Sequence, residues 1–281
     1  MATTYNIIRP ASHDEWLEQR KLGIGSSEVG TILGVNPWET PYQLWRRKTR
    51  IDAPKQENDA MRWGHLLESA IAQYFEQETG HTIIKASAGD WLAVDKQREF
   101  LRVSPDRTYW LDEGRGHNNK GIVECKSTSI KVDADNIPPH WFCQLMYQLG
   151  VMGYSEGHLA WLTLTNRQFG CLKVQFDKDF YQFMTDRLER FWNDNLIGGK
   201  EPEIVTIDDA VLKFTRSTVG KVIEATDDIM TDINEIKMLK PQLDALTAQK
   251  KELEERIKLA MLDAEGICLP GTREDNPKLV V

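Results

Sequence analysis

Leu101-Arg102-Val103-Ser104-Pro105-Asp106, followed after a polar loop by Gly121-Ile122-Val123-Glu124-Cys125-Lys126, is the stretch on which the reading of this chain turns. Residues 98–110 and 120–128 read as two strands, and the polar, glycine-containing segment 112–119 joins them as a hairpin. Side chains alternate along 121–126, so Glu124 and Lys126 share one face while Val123 and Cys125 take the other. Two charges on one face of an otherwise apolar strand are costly if buried without partners. The hairpin can bring Asp106, eighteen residues before Glu124, alongside them. Two carboxylates and the main-chain carbonyl of Cys125 make a hard-oxygen set suited to Mg2+ or Mn2+. A cation there with Lys126 beside it suits phosphodiester hydrolysis, in which a water is activated and charge on phosphorus is neutralised. The same residues also fit a plain hairpin carrying a surface ion pair. Short patterns of this kind recur by chance, so the rest of the chain has to decide.

Working outward, residues 12–22 read as a helix capped by Ser12 with Glu15 three residues on. Gly23-Ile24-Gly25-Ser26-Ser27 is a turn that opens a short helix over 28–33, closed by Gly34. Residues 58–79 form an amphipathic helix with Ala60, Trp63, Leu67, Ala70, Ile71 and Tyr74 on one stripe, ended by Gly80. Pro138-Pro139 starts a helix that runs to Met152. Strands are expected at 158–165 and 169–176, and a helix at 178–195. From about residue 206 the composition changes, and after Phe214 there is no aromatic residue. A seven-residue spacing begins at Val222 and passes through Ile229, Ile236, Leu243, Lys250 and Ile257. Companion positions are Ala225, Asp232, Leu239, Leu246, Leu253 and Ala260. Pro241 is expected to kink or break this seam, or to start a second helix. The expected organisation is a mixed α/β (α+β) domain over 1–205, a helical, coiled-coil-like appendage over 206–265 and a flexible tail over 266–281.

The bulk numbers agree with one large domain plus an appendage. The chain has 281 residues and nine Trp, which implies a substantial aromatic core. Its net charge of −8 argues against a nucleic-acid coat protein but leaves room for a locally basic groove. Cys125, Cys143, Cys171 and Cys268 form no CxxC pair, so scattered thiols in a reducing cytoplasm are expected rather than a zinc module or a disulfide framework. No signal peptide and no membrane-length apolar run is evident.

Five motifs in order then carry a resemblance. Ile24-Gly25-Ser26-Ser27, Trp63-Gly64-His65-Leu66-Leu67-Glu68, Ser104-Pro105-Asp106, Glu124-Cys125-Lys126 and Gln144-Leu145-Met146-Tyr147-Gln148-Leu149 resemble the YqaJ-type viral recombinase family. This group of PD-(D/E)xK nucleases includes lambda exonuclease, and the likeness spans residues 12–195. It implies a restriction-endonuclease-like core with a central mixed sheet flanked by helices. It also implies Mg2+-dependent 5′→3′ digestion of linear double-stranded DNA, one or two ions per site, and 3′ single-stranded overhangs for phage-type recombination. A trimeric ring, a single-strand annealing partner and a phage- or prophage-encoded protein in the bacterial cytoplasm follow from the same resemblance. A related endonuclease and a non-catalytic DNA-binding or scaffold subunit are the alternatives.

The resemblance assigns Glu68 as a further acidic group for the metal or its water; by residue pattern alone it is equally a stripe-edge carboxylate. Gln144 and Gln148 lie one turn apart in an apolar stripe and must find partners. The resemblance gives Gln144 a role beside Lys126 and leaves Gln148 open between the site and a structural amide. Arg20 ahead of a turn with free N–H groups and a hydroxyl can hold a phosphate. The family's matching arginine and serine hold the 5′ phosphate, which points to Arg20 and Ser27, with Ser26 a rival because the register of the turn is open. N-capping by Ser27 with a surface Arg20 is the bland reading. His65, His81 and His140 have no ligand spacing. Trp38, Trp63, Trp91 and Trp141 are expected in the core, and Arg46-Arg47-Lys48 with Arg50 on a solvated basic face.

Overall fold

The computed structural model describes residues 4–49, 51–52, 58–84, 91–111, 119–217, 219–264 and 267. The chain divides into two compact units, Met1–Thr215 and Arg216–Val281. The first opens with β1 (Tyr5–Ile8) and α1 (His13–Lys21), whose N-cap Ser12 accepts a hydrogen bond from the Glu15 amide as expected. β2 (Ile24–Gly25) leads through one 3-10 turn (Ser26–Glu28) into α2 (Val29–Ile32), then α3 (Pro41–Lys48) and α4 (Asp59–Thr79). Four short strands follow: β3 (Ile83–Ile84), β4 (Leu92–Asp95), β5 (Leu101–Val103) and β6 (Arg107–Trp110). The longer β7 (Lys120–Thr128) precedes α5 (Pro139–Met152), β8 (Glu156–Thr163), β9 (Gln168–Gln175), α6 (Lys178–Arg190) and α7 (Ile207–Lys213).

These strands build two sheets, one ordered β1-β4-β5-β2 and the other β3-β6-β7-β8-β9. The second is mixed: β7 and β8 run parallel across the α5 crossover, and its other neighbours are antiparallel. α5 is apolar nearly all round because it is the middle layer. Leu145 and Leu149 belong to one buried cluster with Ile122 and Leu159 of the larger sheet and with Ala93, Leu101 and Val103 of the smaller. A helix buried on every side has no polar stripe to keep. α4 covers the opposite face of the larger sheet, where Ile71, Ala72 and Phe75 pack with Val123, Cys125 and Ala160. The alternation along β7 therefore sends its even-numbered residues toward α5 and its odd-numbered residues toward α4. The fold is the expected mixed α/β core with helices on both sides of a mixed sheet.

Several expectations change in detail. The single strand expected over 98–110 is two strands in different sheets, because Pro105 has no N–H for a ladder and the chain turns there. The buried face of α4 is Ile71, Ala72 and Phe75, while Trp63 is 61% exposed. Trp38, 74% exposed, also lies outside the core, whereas Trp141 is buried as expected. The helix expected over 178–195 becomes a π-helical turn at Phe191–Ile197. The first unit extends ten residues beyond the expected boundary at 205, because α7 is anchored by Thr40 Oγ1 donating to Asp209 Oδ1 at 2.7 Å. Arg46, Arg47 and Lys48 are not a solvated face: Arg46 pairs with Asp52, Arg47 with Glu39 and Glu28, and Lys48 with Glu28. Arg50, the 112–118 loop, Cys268 and nearly all of the tail over 266–281 lie outside the described residues.

In the second unit, α8 (Asp227–Met261) is one continuous helix through Pro241, N-capped by Thr226. The expected break is absent because proline costs only a local hydrogen bond and a clash one turn back, and the flanking turns are made of strong helix formers. Val222 and Ala225, the first expected seam positions, precede the helix. No helix of the described residues is long and apolar enough to cross a membrane.

Candidate active site

β6 and β7 pair from Trp110 opposite Lys120 to Arg107 opposite Val123, and the ladder stops at Arg107 because Pro105 cannot extend it. The Cys125 amide, the next donor on that edge, instead donates to Asp106 Oδ2 at 2.8 Å. The N–H and C=O of one strand residue point toward the same edge, so the Cys125 carbonyl faces the Asp106 side as well. A proline that ends a strand thus seats the aspartate carboxylate beside a main-chain oxygen.

Glu124, one residue earlier on β7, faces α5 and is 1% exposed. Its two oxygens are held by separate donors. Oε1 receives Lys126 Nζ at 2.8 Å and the Gln144 side-chain amide, and Oε2 receives Gln148 Nε2 at 2.9 Å. Gln144 Oε1 in turn accepts from Lys126 Nζ at 2.9 Å. Glu124, Lys126 and Gln144 therefore form a closed ring of three side chains. Gln148, one helical turn on, also donates to Ser26 Oγ at 3.2 Å, tying the Ser26–Glu28 turn to Glu124. Its own oxygen is buried without a hydrogen-bond partner among the described residues. The i,i+4 spacing within an apolar helix was the signal for both amides, and both reach the site.

Glu68 enters from α4 on the other side. Arg107 links it to Asp106, lying 3.9 Å from Glu68 and donating to the Asp106 carbonyl at 2.6 Å and to Ser69 Oγ at 3.1 Å. Arg107 is the residue the sequence reading missed. Its signal was its place directly after Ser104-Pro105-Asp106, where a strand residue must flank the carboxylate.

The electrostatics follow from this crowding. Burial, then the neighbouring Glu124 and Glu68, push the Asp106 carboxyl well above the ordinary range, against the pull of Lys126 and the Cys125 amide. Glu68 is raised by burial and by Glu124, opposed by His65, Arg107 and Lys126. Burial alone would lower Lys126, but Glu124 and Asp106 outweigh it and raise it, so Lys126 is an ammonium here. The Cys125 thiol, on the opposite face of the strand, is pushed up by burial and stays protonated. Three carboxyl groups crowd around Lys126 and Arg107, with His65 also acting on Glu68, so their mutual repulsion favours a retained proton or an added cation.

That crowding of carboxyl groups, with the donor chemistry, fits a divalent cation. Among the described residues no three Asp, Glu, His or Cys side chains converge enough to hold a metal ion alone. Carboxylates with the Cys125 carbonyl would need water to complete a coordination sphere, which is the manner in which Mg2+ is commonly held.

A second cluster lies at the Ser26–Glu28 turn. The Arg20 guanidinium sits over the Trp16 ring, 4.6 Å from its centre, and its Nη2 would lie 3.7 Å from a Cβ placed on Gly25. The Gly25 amide donates to Glu28 Oε2 at 2.9 Å, and Lys48 meets the same oxygen at 2.9 Å. Ser26 is buried against Gln148, while the neighbouring Ser27 is exposed. Arg20 and both serines therefore stand at one turn, and Gln148 bridges that turn to the carboxylate site. His140 lies against Gly30, where a glycine Cβ would come within 2.6 Å of the His140 Cβ.

Comparison with known proteins agrees with the sequence pattern. A model of the YqaJ-like viral recombinase domain matches residues 15–155. YqaJ of Bacillus subtilis (strain 168) is 31% identical over 265 residues, covering 90% of this chain and 80% of that protein. A match of that span runs past Thr215, so it includes part of the second unit. Among solved structures, an alkaline exonuclease from Laribacter hongkongensis (LHK-Exo) superposes with a TM-score of 0.50 at 16% identity, covering 72% of this chain and 97% of its own. The structure of LHK-Exo in complex with dAMP gives 0.51 at the same identity and coverage. At that identity the likeness concerns the fold.

Proposed function

We propose, from the premise that this chain belongs to the YqaJ-like viral recombinase domain family, that it is a metal-dependent deoxyribonuclease that digests one strand of linear double-stranded DNA from its 5′ end. The observation that carries the reading is the convergence of Asp106, Glu124 and Lys126 at the point where β6 begins, with Gln144 and Glu68 closing the site from α5 and α4.

Asp106, Glu124 and the Cys125 carbonyl would hold a divalent cation, which would supply charge neutralisation and a water of lowered pKa. The chain's own residues do the rest. Lys126, held in place by Glu124 and Gln144, directs its remaining N–H toward the water or a phosphate oxygen. Its bonds to Glu124 Oε1 and Gln144 Oε1 fix it as a donor in the site. Glu68, with its raised proton affinity, is the group placed to take the proton of the attacking water. Attack on phosphorus breaks the P–O3′ bond, releases a 5′-mononucleotide and leaves the next nucleotide with a new 5′ phosphate. Arg20, Ser27 and the N–H groups of the turn would hold that terminal phosphate, with Ser26 orienting the turn through Gln148. Repetition yields a 3′ single-stranded overhang, the substrate of an annealing partner in phage-type recombination. A ring-shaped trimer suits a nuclease that tracks along a duplex, and its inner wall would be locally basic despite the net charge of −8.

The test compares linear duplexes with 5′-phosphorylated ends, linear duplexes with 5′-hydroxyl ends and closed circles, in Mg2+. Mononucleotide release from linear DNA alone, faster with the phosphate, supports the reading. Cutting of closed circles replaces it with an endonuclease, and an absence of cutting with a DNA-binding subunit.

A further inference from the structure

α8 carries a seam that nothing in the nuclease reading uses. Within Asp227–Met261 the positions 229, 236, 243 and 250 alternate with 232, 239, 246 and 253 at heptad spacing. Six of these eight are Ile or Leu; the other two are Asp232 and Lys250. The helix buries none of its residues, and Ile236, Leu243 and Leu246 are each more than 60% exposed. Such a row of large aliphatic side chains needs a cover, and the two polar residues say which cover fits.

Two helices pack antiparallel when each residue of one kind of seam position faces the other kind across the pair. One register puts Ile229 against the partner's Leu253, Ile236 against the partner's Leu246 and Leu239 against the partner's Leu243. The same register sets Asp232 against the partner's Lys250, twice by symmetry. Shifting it by one heptad would place Asp232 against Ile257 and Lys250 against Leu239 in one direction, and in the other Asp232 against Leu243 with Lys250 beyond the start of the partner's helix. A parallel, in-register pair would set Asp232 against its own copy and Lys250 against its own copy. Lys250 pairs along its own helix with Glu254 at 2.8 Å in any arrangement, so the choice falls to Asp232, which only the first arrangement sets against a cation across the seam; a carboxylate facing an apolar seam is the costly case. Its two-fold axis falls at Pro241, which lies on the outer face, where the missing N–H and the ring do not touch the partner. At the rim it also brings Asp228 near the partner's Arg256. The single like-charge approach, Lys240 beside its own copy, is exposed, and lysine stems there splay into water.

We propose that α8 is a self-association element, covered by α8 of a second copy of this chain in an antiparallel pair whose register is set by Asp232 and Lys250. This is independent of the nuclease reading. It would couple copies two by two, and thereby join two catalytic units or two rings.

The experiment is sedimentation equilibrium of the full-length protein and three full-length variants, Asp232→Lys, Lys250→Asp and the double swap. Each single variant places like charges in both polar layers. The expected result is an assembly that falls to half its wild-type mass, with association weakened at least about tenfold, and a double variant that regains the wild-type mass. Tryptophan fluorescence checks that the first unit stays folded, since all nine Trp precede residue 193. Single variants with the wild-type mass would overturn the proposal, whether the seam is then covered by the same chain or by another protein. A double variant that fails to reassociate would overturn it equally.

Discussion

Replacing Asp106 with asparagine should make the protein more stable and inactive at once. Asp106 shares its site with Glu124 and Glu68, against Lys126 and Arg107, so ionising Asp106 adds a negative charge its neighbours do not balance. An unbalanced unit charge at roughly 6 Å costs about 3 kcal/mol at an effective dielectric constant near 20, and relaxation leaves about 2 kcal/mol of it. Asparagine is isosteric, its oxygen can keep the 2.8 Å bond from the Cys125 amide, and its new N–H groups face carboxylates. A gain of about 2 kcal/mol corresponds to roughly 4–8 °C in melting temperature for a domain of this size. The sign with pH is fixed by the raised proton affinity. The native state holds the Asp106 proton above the pH at which the unfolded chain releases it, so wild-type stability falls as pH rises through that window. The advantage of the variant is therefore largest at alkaline pH and closes as pH is lowered toward about 4. Tryptophan-fluorescence melts in EDTA and in Mg2+ read this out for the first unit. Mg2+ should raise the wild-type melting temperature and leave that of the variant nearly unchanged. A variant that melts below wild type in EDTA, or an equal Mg2+ shift in both, would refute the account of a charge cluster built for a cation.

Other perturbations follow from the same geometry. Lys126→Ala should lower the rate of strand cleavage by about 10²–10⁴-fold in single-turnover digestion while the first unit remains folded by fluorescence. Arg20→Ala should abolish the preference for 5′-phosphorylated ends and leave digestion of 5′-hydroxyl ends nearly unchanged, measured as the ratio of the two rates. Gly150→Ala places a methyl within about 2.2 Å of the Tyr181 ring and should cost about 2–4 kcal/mol in denaturant unfolding. His158, buried and bonded to the Tyr109 hydroxyl with His81, Phe75, Glu156 and Lys173 around it, is pushed down to about 4 by burial, the neighbouring His81 and Lys173 also lowering it against Glu156. The unfolded chain takes up that proton near pH 6.5 and the native state does not, so this site should reduce stability as pH falls from 6.5 to 4, by at most about 1.4 kcal/mol per pH unit. His158→Phe should flatten that slope.

Much of the site was legible because its chemistry is local. Glu124-Cys125-Lys126 lies on one strand, and alternation alone puts both charges on one face. Gln144 and Gln148 lie on one helix, and their spacing alone puts both amides toward that face. Asp106 required a hairpin, which the polar loop announced. The role of Arg107 was hidden because it depends on where the ladder stops, a tertiary fact set by Pro105. The buried face of α4 was misjudged for a related reason. Trp63 and Tyr74 share a stripe with Ile71, but the packed stretch runs only from Leu67 to Phe75, so Trp63 lies beyond it and stays exposed, while Tyr74 sits at its margin against the Phe169 ring. The small sheet was also missed, since β1, β2, β4 and β5 are each four residues or fewer and gain their stability from α5 and not from their own pattern. Pro241 was read by local propensity, and the helix around it outweighed that preference.

The central claim is that the Asp106, Glu124 and Lys126 cluster hydrolyses DNA with a bound divalent ion. The direct measurement is nucleotide release from a 5′-phosphorylated linear duplex by purified wild-type and Lys126→Ala protein, each in EDTA and in Mg2+. The account predicts release by the wild type in Mg2+ only, and at least a hundredfold less by the folded variant. Wild-type release that persists in EDTA, or a folded Lys126→Ala protein with full activity, would contradict it.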